Sequence, residues 1–482
     1  MKSIVESLGH TRIDDIAVQT AYERITYSDL KVRVEQLALW FVNNGTKSVA
    51  IQAQNSSDWL VIDLACQDGN IVITPIPLFF TPAQFQRVVS SVKPDMLFSE
   101  QVSSYGQPIS CEMVALNVCR LNHIGILQVP IGTSKVTYTS GSTGEPKGVC
   151  LSTKSQLNVA SCLIKTIGIT RPRHLCLLPL PTLLENIAGI YAPLLAGGTV
   201  ILVSDEQRGF TGSKSVNAQR LLLCISQYSP NSLILVPELL QVLISAAKQG
   251  WQPPESLQFI AVGGSKVAPA LISEARRFKL PVYQGYGLSE CCSVVSLCCA
   301  TDDINSVGRL LPHIQARVKN GELVVTGNTF LGYLEEPETW YQNEVKTGDL
   351  ASLTGNMLYI DGRSKNIIIN SFGRNISPEW IEAQLLSTGL FYQAVVIGES
   401  KPFCTALLVP VNETLSQGEI MAQVGQLNSN LPDYAQVKYP IILAQLMRSE
   451  QGLYTENMRP RRAQIEQFFK ENIELVYSHH HA

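Results

Sequence analysis

The chain reads as an α/β protein in two parts: a large N-terminal domain built on parallel sheets flanked by helices, and a smaller α+β domain behind it. Three observations predict this. At 482 residues the chain exceeds what one small core organises, so two or more domains are expected. Short apolar strands alternate with amphipathic helices in the N-terminal portion, the pattern of a parallel sheet covered on both faces. From Asn366 to Tyr477 the pattern changes to a few strands and a Ser-Pro-initiated helix.

Composition narrows the function classes. Hydrophobic residues make up 45% and charged residues 16%, as in an ordinary soluble protein. Lys plus Arg number 37 against 40 Asp plus Glu, a net charge of −3. That leaves no basic field for nucleic acid or an anionic membrane. No signal peptide and no apolar run of membrane-spanning length is evident, so no integral membrane segment is expected and a reducing cytoplasm is the expected compartment. Of the 12 cysteines, Cys291-Cys292 and Cys298-Cys299 are adjacent pairs in an apolar run without metal-site spacing. Buried, reduced thiols are expected. His479, His480 and His481 are a native tail or a purification remnant and carry no site argument.

Taken in order, Tyr27-Ser28-Asp29-Leu30 opens a helix with Ser28 as N-cap. Leu30, Val34, Leu37, Ala38 and Phe41 recur at helical spacing, and Asn43-Asn44-Gly45 stops it. Val49-Ala50-Ile51 is a buried strand. Asn55-Ser56-Ser57-Asp58-Trp59 opens the next helix, through Leu64, Ala65 and Cys66.

Tyr138 to Val149 then concentrates small and polar residues: Thr139, Ser140, Gly141, Ser142, Thr143, Gly144 and, after Pro146, Lys147. Such a stretch turns backbone N–H groups inward as an anion nest, with hydroxyl donors and one cation added. A flexible surface turn is the alternative. A Walker P-loop is excluded, because Gly-Lys-Ser/Thr never occurs in succession here.

Leu178 to Ile187 is a proline-punctuated apolar run holding Thr182, Glu185 and Asn186. Glu185 either begins a helix, where the dipole favours it, or serves an active site. Phe259 to Val262 reads as a strand ending in Gly263, Gly264 and Ser265, open to close approach by a flat ligand. Gly285-Tyr286-Gly287-Leu288-Ser289-Glu290 places an aromatic between glycines and a hydroxyl beside a carboxylate, suited to a base, phosphate and Mg²⁺, or else a Gly-rich turn with a core tyrosine. Thr347-Gly348-Asp349 reads alone as a turn. In the C-terminal part, Ile367 to Ile369, Ala394 to Ile397 and Ala406 to Val411 are strand-like. Ser377-Pro378 begins a helix.

These motifs together resemble the adenylate-forming superfamily of acyl- and aryl-CoA synthetases, peptide-synthetase adenylation domains and beetle luciferases. The stretch Tyr138 to Val149 is similar to that family's phosphate loop, and the similarity runs from residue 27 nearly to the end of the chain. The resemblance implies ATP, Mg²⁺ and CoA as cofactor and co-substrates, with Lys147, Glu290 and Arg459 catalytic. By the same match Tyr286 lies along the adenine, Ser289 contacts phosphate, Glu290 helps hold Mg²⁺, and Asp349 and Arg363 hold the ribose. It implies a large ATP- and acid-binding domain over residues 1–361, a hinge at 362–365 with Lys365 at the pivot, and a small domain over 366–482 that rotates between half-reactions.

Within the family, the Glu185 segment is closest to bacterial long-chain acyl-CoA synthetases, although Thr182 replaces their His and Asn186 their Arg. The loop around Gly373 matches one placed against the pantetheine channel. A medium- or long-chain fatty acid is therefore the expected substrate. Transfer to CoA is expected, with a carrier-protein thiol or an amine as alternative acceptors, or a degenerate nucleotide-binding homologue as alternative function. No Phe-Asp pair stands where peptide-synthetase domains grip an amino group. The family's C-terminal Thr-x-x-x-Lys becomes Thr455 to Arg459 here, so Arg replaces the lysine that reaches the carboxylate and α-phosphate.

Overall fold

The computed structural model describes residues 4–8, 13–101, 105–123, 127–140, 146–211, 215–412, 415–455 and 458–479. Among these residues, two large sheets and a small C-terminal layer carry the architecture. The larger sheet has thirteen strands. Its first half is mostly parallel, with Ile16–Gln19, Thr199–Ile201, Arg173–Leu175, Ser232–Leu235, Phe259–Val262 and Val282–Leu288 side by side. Its second half is antiparallel, from Ser293–Leu297 to Ile314–Lys319. Val282–Leu288 is the seam: parallel to Phe259–Val262 on one side, antiparallel to Ser293–Leu297 on the other.

The second sheet has eight strands, with Ser48–Gln52, Val72–Pro75, Met96–Ser99 and Lys135–Ser140 forming its parallel centre. Pro146–Leu151 pairs antiparallel to Lys135–Ser140. One core takes in strands of both sheets and the helices Tyr27–Asn43, Ser57–Asp68 and Thr153–Ile167. Parallel strands buried under helices on each face are the arrangement that strand–helix alternation predicts.

Local signals account for the helix ends, with one correction. Thr26, not Ser28, caps Tyr27–Asn43, its hydroxyl accepting from the Asp29 N–H. Ser28 lies inside the first turn. Gly45 follows the helix at φ +65°. Ser56 caps Ser57–Asp68.

Beyond Arg363, where the last long strand of the large sheet ends, a 3₁₀ turn Ser364–Asn366 leads into the smaller part. There Phe391–Ile397 and Thr405–Pro410 form an antiparallel pair, joined by Ile441–Ile442. The helices Pro378–Ser387 and Gln417–Asn428 close its own apolar core. Among the described residues no helix is long and apolar enough to cross a membrane. All twelve cysteines are free, and Cys291, Cys292 and Cys298 are buried.

Candidate active site

The seam strand Val282–Leu288 carries Gly285-Tyr286-Gly287 as regular strand rather than as a loop. A Cβ on residue 287 would fall 1.6 Å from the Ser293 carbonyl. Glycine there is what lets the antiparallel partner approach. The strand points Tyr286 at Asp349, whose Oδ2 accepts the phenol proton at 2.5 Å. Asp349 sits in Glu344–Thr354 with Arg363 as its direct register partner on Met357–Arg363, and Arg363 Nε reaches Asp349 Oδ1 at 2.7 Å. Burial pushes the Asp349 carboxyl above the usual carboxylate range, while Arg363 and the Tyr286 hydrogen bond oppose the rise.

The phosphate-loop end of the same cleft is built across two strands. Thr139 on Lys135–Ser140 pairs with Lys147 on Pro146–Leu151, and the connecting Gly141, Ser142, Thr143 and Gly144 lie outside the described residues. Lys147 Nζ contacts Glu336 Oε1 at 2.9 Å and stands 4.7 Å from the centre of the Tyr333 ring. Tyr333 in turn donates to Glu290 Oε1 at 2.9 Å. Lysine, tyrosine and two carboxylates thus form one chain ending at Glu290, whose side chain faces the cleft from the 3₁₀ turn Ser289–Cys291.

The third wall joins the two parts of the molecule. The turn after Phe259–Val262 brings Gly263, Gly264 and Ser265 to the cleft. There the Gly264 carbonyl accepts from Arg459 of the C-terminal part at 2.9 Å. Lys266 donates to the carbonyls of Ile360 and Asp361, both at 3.1 Å. Burial lowers its ammonium pKa, opposed by Asp361 and Glu379. Lys365 also lines the cleft, its pKa lowered by burial and by Arg363, with Asp349 opposing. The cavity is about 2680 Å³, and its lining includes Thr182 and the apolar side chains of Leu163, Ile164, Leu184 and Ala188.

An AMP-binding enzyme family model matches residues 6–126 and 130–334, and the model of that family's C-terminal domain matches residues 365–481. The chain belongs to the AMP-binding enzyme family. It is an enzyme of the adenylate-forming superfamily, whose relatives include acyl- and aryl-CoA ligases. A 2-succinylbenzoate–CoA ligase of Staphylococcus epidermidis is 26% identical over 437 residues, covering 84% of this chain and 87% of that protein. A Bacillus velezensis protein of the same name is 30% identical over 290 residues, 56% of each.

Among solved structures, a Bacillus subtilis o-succinylbenzoate CoA synthetase in complex with its acyl-adenylate superimposes with TM-score 0.78 at 21% identity, covering 97% of this chain and 98% of that one. An anthranilate CoA ligase with anthranoyl-AMP gives TM-score 0.80 at 14% identity, covering 96% of each. The fold is therefore that of adenylate-forming enzymes. None of these relatives is named for a fatty acid, so the fatty-acid expectation and its place in fatty-acid metabolism find no support here.

The AMP-binding enzyme brings most of its sequence-predicted residues to one cleft: Thr139, Lys147, Gly263 to Ser265, Gly285 to Gly287, Ser289, Glu290, Asp349, Arg363, Lys365 and Arg459 all border it. Thr182 borders it too. Three expected pocket residues sit elsewhere. Asn186 is buried in a polar knot, donating to Asp63 Oδ2 at 3.1 Å and accepting from Lys135 Nζ at 2.5 Å. Glu185 is fully buried and meets the cleft only through His174, whose Nε2 is 3.0 Å from Glu185 Oε1. Both residues begin a π-helix, Glu185–Tyr191, which turns their side chains away from the cavity. Gly373 lies exposed at φ +71° with open space around it, off the cleft in this arrangement of the two parts.

Sequence reasoning missed Tyr333, Glu336 and Lys266. Lys266 stands two residues past the glycine pair, after Ser265, and was findable as its cation. Nothing in spacing ties Lys147 to Glu336, 189 positions away.

Proposed function

We propose that this enzyme joins a carboxylic acid to the thiol of CoA through an acyl-adenylate. In the first half-reaction a carboxylate oxygen attacks the α-phosphorus of ATP and pyrophosphate leaves. In the second the thiol sulfur attacks the acyl carbon and AMP leaves. The observation that carries the reading is the pinned Asp349 carboxylate, set by Arg363 and Tyr286 at one end of a cleft with Lys147 and Glu290 at the other. A carboxylate fixed this way suits a ribose diol, the Tyr286 ring a base, and Lys147 the polyphosphate.

The donor set also fits Mg²⁺. Glu290 offers a hard oxygen on the cleft, and Thr139 and Ser289 are hydroxyl-bearing residues that line the same cleft. Bound there, the ion would neutralise charge building on the phosphates. To Arg459, which donates to the Gly264 carbonyl across the cleft, we assign the part of the family lysine, meeting the acid's carboxylate or the α-phosphate.

For the acid itself we propose an aromatic carboxylate, as the relatives' names suggest. A cavity walled by Leu163, Ile164, Leu184 and Ala188 favours an apolar body. The test is pyrophosphate release with ATP and Mg²⁺ across 2-succinylbenzoate, anthranilate, benzoate, octanoate and palmitate, with and without CoA. An aromatic acid should give the fastest release, and AMP formation should depend on CoA. Faster release with octanoate or palmitate overturns the aromatic assignment. AMP release indifferent to CoA overturns the acceptor, and no release with any acid overturns the reaction.

A further inference from the structure

One buried cluster plays no part in this reading. Glu185 Oε1 lies 3.0 Å from His174 Nε2, while its other oxygen, Oε2, is buried with no hydrogen-bond partner. Cys176, a free buried thiol, stands two residues beyond His174. One ligand atom from each of His174, Cys176 and Glu185 lies within 4.8 Å of the others. The second His174 nitrogen, Nδ1, is 2.9 Å from Ser232 Oγ. A Cβ on residue 189 would come within 2.7 Å of Glu185 Oε1 and 2.8 Å of His174 Nε2, so Gly189 keeps the space between them open. The segment that presents Glu185 is π-helical, a geometry frequent at functional sites.

We infer that His174, Cys176 and Glu185 form a binding site for a borderline divalent cation of the zinc type, with water completing the fourth position. Imidazole nitrogen, thiolate and carboxylate are the ligands such an ion takes. Thiolate and carboxylate together cancel its charge, which suits a buried site and answers the unpaired Glu185 oxygen. Tetrahedral bonds of about 2.0–2.3 Å set ligand atoms about 3.3–3.8 Å apart, so His174 and Glu185 need only part slightly. Ser232 supplies the outer hydrogen bond that ligating histidines make. Binding releases the Cys176 thiol proton as the ion takes the thiolate, and the imidazole ligates as the neutral ring with its N–H on Nδ1. The ion would tie the π-helix to the strand Arg173–Leu175 at a point where His174 itself borders the cavity.

The test uses the full chain with His479→Ala, His480→Ala and His481→Ala, which removes a run of consecutive histidines that would compete for the ion. After chelator treatment it is titrated with Co²⁺. One Co²⁺ per chain is expected, with a near-ultraviolet thiolate-to-cobalt charge-transfer band. Cys176→Ser should abolish the band, and Cys224→Ser, at another buried thiol, should keep it. In the chain without cysteine changes, Zn²⁺ should protect Cys176 from alkylation as read by mass spectrometry, a measurement independent of whether Cys176→Ser folds. Absence of the band, its survival in Cys176→Ser, or equal Cys176 alkylation with and without Zn²⁺, read at a urea concentration at which the metal-free chain is measurably modified, overturns the site. None of these readouts depends on adenylation.

Discussion

Asp63 and Asp349 are held alike. Each meets a cation on Oδ1 at 2.7 Å, Lys135 for the first and Arg363 for the second. Each accepts a tyrosine hydroxyl on Oδ2, from Tyr191 at 2.6 Å and from Tyr286 at 2.5 Å. Their surroundings differ. Lys135 is 3% exposed and Asn186 completes its knot, whereas Arg363 is 38% exposed and its pair faces the cleft. The same three groups make a structural fastener when sealed and a ligand clamp when one edge is open. Pairing alone therefore does not distinguish stability from function; access does.

Breaking the sealed pair should give the largest effect. Lys135→Met strands a buried carboxylate, and chemical denaturation should register a loss of about 3–5 kcal/mol. Asp349→Asn should leave the denaturation midpoint close to wild type yet slow pyrophosphate release by roughly 10²-fold. A large stability loss in that variant would erase the contrast.

Arg459 sharpens the comparison, because its charge adds to that of Arg363 at Asp349. Arg459→Ala should slow acyl-adenylate formation by at least about tenfold and leave thioester formation from supplied acyl-adenylate unchanged. Arg459→Lys should retain the first step. Equal, small losses in both half-reactions would make Arg459 structural.

The tyrosines give the smallest effects. Tyr191→Phe removes one hydrogen bond from a carboxylate that Lys135 and Asn186 still hold, at about 1–2 kcal/mol in denaturation. Tyr286→Phe should raise the KM for ATP by roughly fivefold, or about 1 kcal/mol, without moving the midpoint. A stability loss in Tyr286→Phe equal to that in Tyr191→Phe would mean the cleft is as sealed as the knot.

The open member of this pair was legible in the sequence and the sealed one was not. Asp349, Arg363 and Tyr286 sit in short strings whose residue types are unusual together, so a motif finds them. Asp63 and Lys135 each occupy an unremarkable position in a helix and a strand, and only the pairing of distant elements shows that they meet. Asn186 was misread for the same reason: Leu184 and Ala188, two residues to either side, line the cavity, but the π-helix turns Asn186 toward Asp63. The alternation of strand and helix announced the parallel sheets. It could not announce that Val282–Leu288 would join a parallel half to an antiparallel one, since that depends on residues beyond the Gly-Tyr-Gly string. Thr26 displaced Ser28 as cap because a two-residue shift in register decides which hydroxyl meets the free N–H groups.

The buried cysteines have a practical consequence. Nine of the twelve are sealed from solvent, and burial raises the pKa of thiols such as Cys66, Cys291 and Cys404, keeping them protonated and unreactive. They are spread through the molecule: Cys66 three residues from Asp63, Cys291 beside Glu290, Cys404 in the C-terminal core. An alkylating reagent can reach each one only when its own neighbourhood breathes. The protein thus carries a built-in set of local opening gauges, one for each region, readable peptide by peptide without a single introduced label.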